Sequence, residues 1–177
     1  MKYLGRKPIN AQPPSKLLTD TYITPTSLWF VRNHHPSSNI DPDSFRVSLQ
    51  FDTESNEVAN LSLHELKTLF KPKTVVSTLQ CGGNRRAEMS AISKTNGSPW
   101  GVTAISTAEW TGVPLREILR FMGVTEESVE EGGKYAGYTD LQFVSADGME
   151  ASIPIHKALA LRGDALLAYE MNGSSMP

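Results

Sequence analysis

Two hydrophobic periods alternate along this 177-residue chain, and neither runs far before proline or glycine interrupts it. Residues 45–51, FRVSLQF, put Phe45, Val47, Leu49 and Phe51 on one face and Arg46, Ser48 and Gln50 on the other, the period-two signature of a half-buried strand. Residues 113–123, VPLREILRFMG, put Leu115, Ile118, Leu119 and Met122 at i, i+3, i+4 and i+7, opened by Pro114 and stopped by Gly123. That is a core-facing helix. Ser62 with Glu65 three residues later makes a capping box, after which Leu63, Leu66 and Phe70 line a short helix ending near Lys71-Pro72. SLWFV (27–31), TVVST (74–78), YTDLQFV and ALLAYE read as further strands, with a short helix around 154–161. Short strands and short helices in irregular order predict a mixed α+β fold.

The two ends carry separate expectations. Residues 1–27, with their repeated prolines and lysines, predict an extended segment laid over a surface, with the organised domain running over 28–177. ALLAYEMNG is a buried-strand pattern entering Asn172-Gly173, a strong hairpin signal, with four residues after it. A hairpin without its return strand predicts a C-terminally truncated piece of a longer protein, its domain incomplete.

Charge and composition narrow the partners. The balance of 17 basic against 19 acidic residues lacks the electrostatic footprint of a nucleic-acid or membrane-surface binder. No run of about 18 apolar residues suits a membrane span, and the start, MKYLGRKPINAQPP, has no apolar core behind its basic residues. With one cysteine, an internal disulfide framework is excluded.

That cysteine, Cys81, stands in TLQCGGNRR, at the exit of a predicted strand, against Gly82 and Gly83 and ahead of Arg85 and Arg86. Two glycines let the loop bend and a bulky partner approach, and nearby guanidinium groups favour a thiolate. A nucleophile, a soft metal ligand and a small buried hydrophobe all remain open. His34, His35, His64 and His156 carry no signature tying any of them to the thiol. His64-Glu65 starts like a zincin helix, but Thr68 stands where the second histidine is needed. Adjacent His34 and His35 point to opposite sides of an extended segment, so at most one faces a given site. No paired spacing suits structural zinc. CGGN is not followed by a phosphate-loop Lys-Ser/Thr, and EESVEEGGK reads as a solvated acidic loop.

Seven segments in order resemble the molybdenum-pterin domain of the sulfite oxidase family: NAQPP, RNHHP, TLQCGGNRR followed by EM, the stretch from Trp100 through AISTAEW to LREIL, FVSADG, ASIP and LLAYEMNG. The resemblance runs from about residue 8 to the last residue. It implies a sulfite-oxidase-type mixed molybdopterin-binding domain in which Cys81 binds molybdenum through its sulfur and Arg32 binds the substrate oxyanion. Phe30, Val31, Asn33 and His34 then become cofactor contacts, Asp147 lies at the cofactor, and Arg86 supports the active site from the cysteine loop. The implied reaction is oxidation of sulfite to sulfate by oxo transfer at a Cys-ligated molybdenum-molybdopterin centre, with oxygen or cytochrome c as electron acceptor. The chemistry of the residues agrees, since a soft thiolate suits a soft metal and a guanidinium fork suits a small dianion.

The resemblance also implies a homodimer in the full-length parent and no haem within this chain, and it leaves a peroxisomal or mitochondrial location open. This chain departs from the family pattern at Gly82, where alanine is usual, and lacks the RDHGFP segment and the immunoglobulin-like domain that follow in family members. Two other readings stand beside sulfite oxidation: the corresponding domain of an assimilatory nitrate reductase, and an inactive truncated fragment. AISTAEW and LAYEMNG look closer to the sulfite-oxidising branch.

Overall fold

Regular structure begins earlier than the sequence predicts. The computed structural model describes residues 1–50, 58–162 and 165–176. Lys2–Arg6 (β1) and Ile9–Gln12 (β2) pair antiparallel, followed by one turn of helix, Ser15–Leu18 (α1). β2 pairs on its other side with Val31–Arg32 (β3), through Asn10↔Arg32 and Ala11↔Val31. Asn10, Ala11 and Gln12 are all buried, so the start of the chain includes an interior strand as well as surface-lying segments. Composition points the wrong way here because the polar side chains of Asn10 and Gln12 are satisfied internally. SLWFV also differs from expectation. Pro25, with φ −53°, starts a 3-10 turn over Thr26–Leu28, and only Val31 of the predicted strand is extended in a sheet.

The α+β reading holds for the rest. Arg46–Gln50 (β4) pairs antiparallel with Val58–Ser62 (β5), while Phe51 of the predicted strand lies outside the described residues. The capping box is present: Ser62 Oγ accepts from Glu65 N at 3.1 Å and Glu65 Oε2 accepts from Ser62 N at 2.8 Å, opening Leu63–Leu69 (α2). Next come Lys73–Gln80 (β6), Arg86–Ile92 (α3), Ile105–Pro114 (β7) and Leu115–Phe121 (α4). The acidic run predicted as loop begins with one turn of helix, Glu126–Val129 (α5), because Thr125 and Ser128 cap one another. Asp140–Val144 (β8) and Glu150–Pro154 (β9) form a hairpin, followed by Ile155–Leu159 (α6). Leu166–Met171 (β10) and Ser174–Ser175 (β11) complete a sheet of order β11-β10-β7-β6. Asn172 and Gly173 sit at φ 53° and 73°, the left-handed pair that a two-residue hairpin requires. A two-residue return strand therefore does follow the turn, contrary to the sequence reading.

The described residues divide into two units. The first takes Met1–Ser38, Val75–Trp110 and Met171–Pro177; the second takes Asn39–Thr74 and Thr111–Glu170. The second unit's core joins Leu61 and Leu66 to Val113, Leu115, Ile118, Leu119, Ile155 and Leu159, as the helical period predicts. In the first unit Phe30, Trp100 and Ala104 are buried together, with Leu4, Trp29 and Cys81 partly buried against them. Asn172 closes this unit: its backbone and side chain bond Glu109 in both directions at 2.8 and 3.1 Å, and its Nδ2 donates to Thr24 O at 3.0 Å and Thr26 Oγ1 at 3.3 Å. Among the described residues no helix is long and apolar enough to cross a membrane.

Candidate functional site

The cysteine loop is fixed mostly by its backbone. Cys81 N donates to Ala104 O at 2.9 Å, Arg85 N to Gly101 O at 2.8 Å and Ala87 N to Trp100 O at 3.0 Å, which lays residues 81–87 along residues 100–104. Asn84 reinforces the pairing, its Oδ1 accepting from Ala104 N at 3.0 Å. Within the loop, Asn84 N donates to Cys81 O at 2.9 Å and Gly83 N approaches Cys81 Sγ at 3.4 Å. Cys81 is a free thiol of intermediate exposure. It is held at the edge of a packed cluster, which disfavours the fully buried-hydrophobe reading.

The two arginines behind it part company. Arg85, at φ 65°, turns outward and meets Glu88 Oε2 with Nε at 2.8 Å and Nη2 at 2.5 Å. The Glu88 hydrogen bond raises its pKa above the ordinary arginine value. Arg86 turns inward, Nη1 donating to Ser98 O at 3.0 Å. Of the pair expected to favour the thiolate, only Arg86 packs within the loop.

Arg32 enters from β3. Buried Asn10, its cross-strand partner, accepts on Oδ1 from Asn33 N at 3.1 Å and from Arg32 Nη1 at 3.4 Å, and donates from Nδ2 to Asn33 O at 3.2 Å. Arg32 Nη1 also donates to Asn33 O, and Nη2 lies 2.7 and 3.0 Å from the two ring nitrogens of His34. Both Val31 and His34 are exposed, Asn33 donates from Nδ2 to Ile9 O at 2.9 Å, and Phe30 is buried against Trp100 at a ring separation of 6.4 Å. Phe30 therefore sits in the cluster that holds Cys81. Asp147 belongs to the second unit, on the β8–β9 turn, where its Oδ1 accepts from Ser145 Oγ and, at 3.3 Å, from Met149 N.

Two residues were given no role from sequence. Asn10 organises the Arg32–Asn33 backbone. Trp100 is fully buried, and its Nε1 has no hydrogen-bond partner among the described residues. A buried donor left unpaired is costly, and at a binding site it marks a partner's place. Both residues lie inside quoted motifs, NAQPP and the Trp100 stretch, but only burial distinguishes them from their neighbours.

The mixed α+β fold presents one thiol on a glycine loop, and the family of the chain says what such a loop serves. The chain belongs to the oxidoreductase molybdopterin binding domain family, whose model matches residues 34–177. It is 43% identical over 174 residues to sulfite oxidase of Gallus gallus, covering 98% of this chain and 37% of that protein. It is also 35% identical over 175 residues to nitrate reductase (NADPH) of Phytophthora infestans, covering 98% of this chain and 19% of that protein. The chain thus spans about a third of the vertebrate sulfite oxidases it matches. The fold is similar to that of the sulfane dehydrogenase SoxCD from Paracoccus pantotrophus, with a TM-score of 0.65 over 95% of this chain and 43% of that one, at 18% identity.

Proposed function

We propose that this chain forms part of a molybdenum-pterin oxidoreductase that converts sulfite to sulfate, with Cys81 holding the metal. The observation carrying this reading is the lone thiol presented on a backbone-fixed loop beside Trp100. Among the described residues no group of three or more His, Cys, Asp or Glu side chains is placed to hold a metal, so a bare ion would be short of protein ligands here. A metal delivered already chelated by pterin sulfurs needs only one thiolate, which suits this donor set. The open space beyond Gly82 and the unpaired Trp100 Nε1 fit a bulky polar group in the same way.

When bound, the cofactor supplies oxygen-atom transfer and takes up two electrons. The protein's own residues bind and orient. Arg32 offers a guanidinium fork for an oxyanion, preset by Asn10, Asn33 and His34. Trp100 Nε1 offers one more donor within an apolar cluster, where a hydrogen bond gains strength as water is excluded. Val31 on β3, and Asn33 and His34 just after it, line the approach; Phe30 backs it from the core, and Arg86 steadies the cysteine loop.

The test is molybdenum and pterin content per chain, in protein made by cells that synthesise the cofactor. One equivalent in the wild type that is lost in Cys81→Ser supports the reading; metal retained in Cys81→Ser, or absent from both, ends it. The higher identity to sulfite oxidase than to nitrate reductase favours sulfite. Nitrate reduction without sulfite oxidation, by the longest protein containing this chain, would reverse that choice.

A further inference from the structure

β2 carries two polar side chains on one face, and both are buried. Asn10 and Gln12 stand two residues apart on the strand, so they project from the same side, 4% and 7% exposed. Asn10 bonds within its own sheet, to the backbone of Asn33 beside its partner Arg32, at 3.1 and 3.2 Å. Gln12 reaches a segment outside that sheet: its Oε1 accepts from Gly101 N at 2.8 Å, across 89 positions of sequence. The peptide it holds joins Trp100 to Gly101, and the carbonyl of the same peptide, Trp100 O, accepts from Ala87 N at 3.0 Å. One peptide plane is thus bonded at both edges, by β2 on one side and by the start of α3 on the other. Gly101 is glycine for a steric reason, since a Cβ there would stand 2.8 Å from Gln12 Nε2 and 3.6 Å from its Cδ. The Gln12 amide lies against bare backbone and leaves no room for a methyl group. A second tie follows at once, Thr103 Oγ1 donating to the carbonyl of fully buried Pro13 at 2.7 Å.

We infer that Gln12 is a positioning residue: by fixing the Trp100–Gly101 peptide from the strand that also holds Arg32, it sets the spacing between the Arg32 guanidinium and the Trp100 indole N–H, the two donors offered to an oxyanion. The inference rests on the reading of the site as one that binds sulfite. Side-chain length divides the work between the two amides. Asparagine, one methylene shorter, reaches the backbone of the adjacent strand, and glutamine carries an equivalent oxygen out to Gly101. Gln12 is buried, so removing its oxygen leaves the Gly101 N–H unpaired and the Trp100 peptide held at one edge only.

The experiment separates the bond from packing. Gln12→Met keeps the length of the side chain and removes the acceptor, whereas Gln12→Glu keeps an acceptor oxygen. In the full 177-residue chain, amide exchange at Gly101 should be about tenfold faster in Gln12→Met, the size of one net hydrogen bond. The indole N–H resonance of Trp100, assigned with Trp100→Phe, should shift in the same variant. Gln12→Glu should leave both signals near those of the wild type. In the longest molybdenum-loaded protein containing this chain, Gln12→Met should raise KM for sulfite about threefold to tenfold with kcat within about twofold, because donors that hold the anion equally before and during reaction affect binding alone. Gln12→Glu should restore KM. Unchanged Gly101 exchange in Gln12→Met, or a Gln12→Glu variant no better than Gln12→Met, overturns the inference. So does a fall in kcat at unchanged KM, which assigns Gln12 to the fold alone. If Gln12→Met does not fold, Gly101→Ala makes the test from the other side, its methyl displacing the Gln12 amide: a matching rise in KM supports the inference and an unchanged KM overturns it. Wild-type protein that binds no molybdenum, or leaves sulfite unchanged, defeats the proposed function instead, and the exchange and indole readouts, which need no metal, still decide whether Gln12 positions Trp100.

Discussion

Gly82 and Gly83 are neighbours with opposite requirements. A Cβ on Gly83 would stand 2.7 Å from Arg86 Nη2, whereas one on Gly82 would meet nothing within 4 Å, and Gly82 is not among the residues of positive φ. Gly82→Ala should raise stability by about 0.4–1 kcal/mol by restricting the unfolded chain. Thermal or urea unfolding checks this, and an unchanged or lower midpoint counts against it. Trp100→Ala, at a fully buried position, should cost about 3–5 kcal/mol by the same measurement. At this scale the sequence is legible in part: TLQCGGNRR marks Cys81 and its two glycines as a place where a sulfur can be presented, whereas the ligand role of Cys81 and the supporting role of Arg86 are expectations of the family resemblance. Asn10 and Trp100 are not legible, because their roles depend on which polar atoms are buried and what remains to pair with them. Arg85 shows the reverse limit, since the text of the loop cannot say that Glu88 draws it outward.

The best-read element is α2. Its seven residues are too few to hold a helix by propensity, so its start depends on the Ser62–Glu65 cap and its register on buried Leu66. Ser62→Ala should cost about 1 kcal/mol in urea unfolding. The same cap responds to pH. The Ser62 hydroxyl and backbone N–H lower the Glu65 pKa, as its own backbone N–H together with Arg116 and Arg120 lowers that of Glu126. Both carboxyls thus ionise more readily folded than unfolded. Their contribution is complete above the ordinary glutamate value, about 4.3, and is lost as pH falls through the lower folded values. The thermal midpoint should therefore fall on acidification below that value, and less steeply in Glu65→Gln; parallel profiles would contradict the assignment. α4 was legible for a related reason, its 3.6-residue period surviving intact into the core at Leu115, Ile118 and Leu119. β1, β2 and β9 were not, because none alternates cleanly and each is defined by its partner strand.

For the whole molecule, the mixed α+β class followed from the two short periods, whereas the division of the chain could not. Segments far apart in sequence make up each unit, and sequence patterns speak mainly to near neighbours. Leu159, with no exposed surface, is a sensitive reporter of the second unit's core, and Leu159→Ala should cost about 2–5 kcal/mol. Asn172 has a different consequence. Its bonds reach back 148 positions to Thr24, so the first unit contains a pairing that the emerging polypeptide supplies only once residue 172 has been made. During synthesis, Thr24 and Thr26 wait with these groups unmatched while some 145 later residues are added. The loop that Asn172 closes is long, and closing it late costs entropy before any contact repays it. The first unit should accordingly mature after translation passes Asn172, and nascent chains stalled before that residue should remain open to protease within residues 1–38.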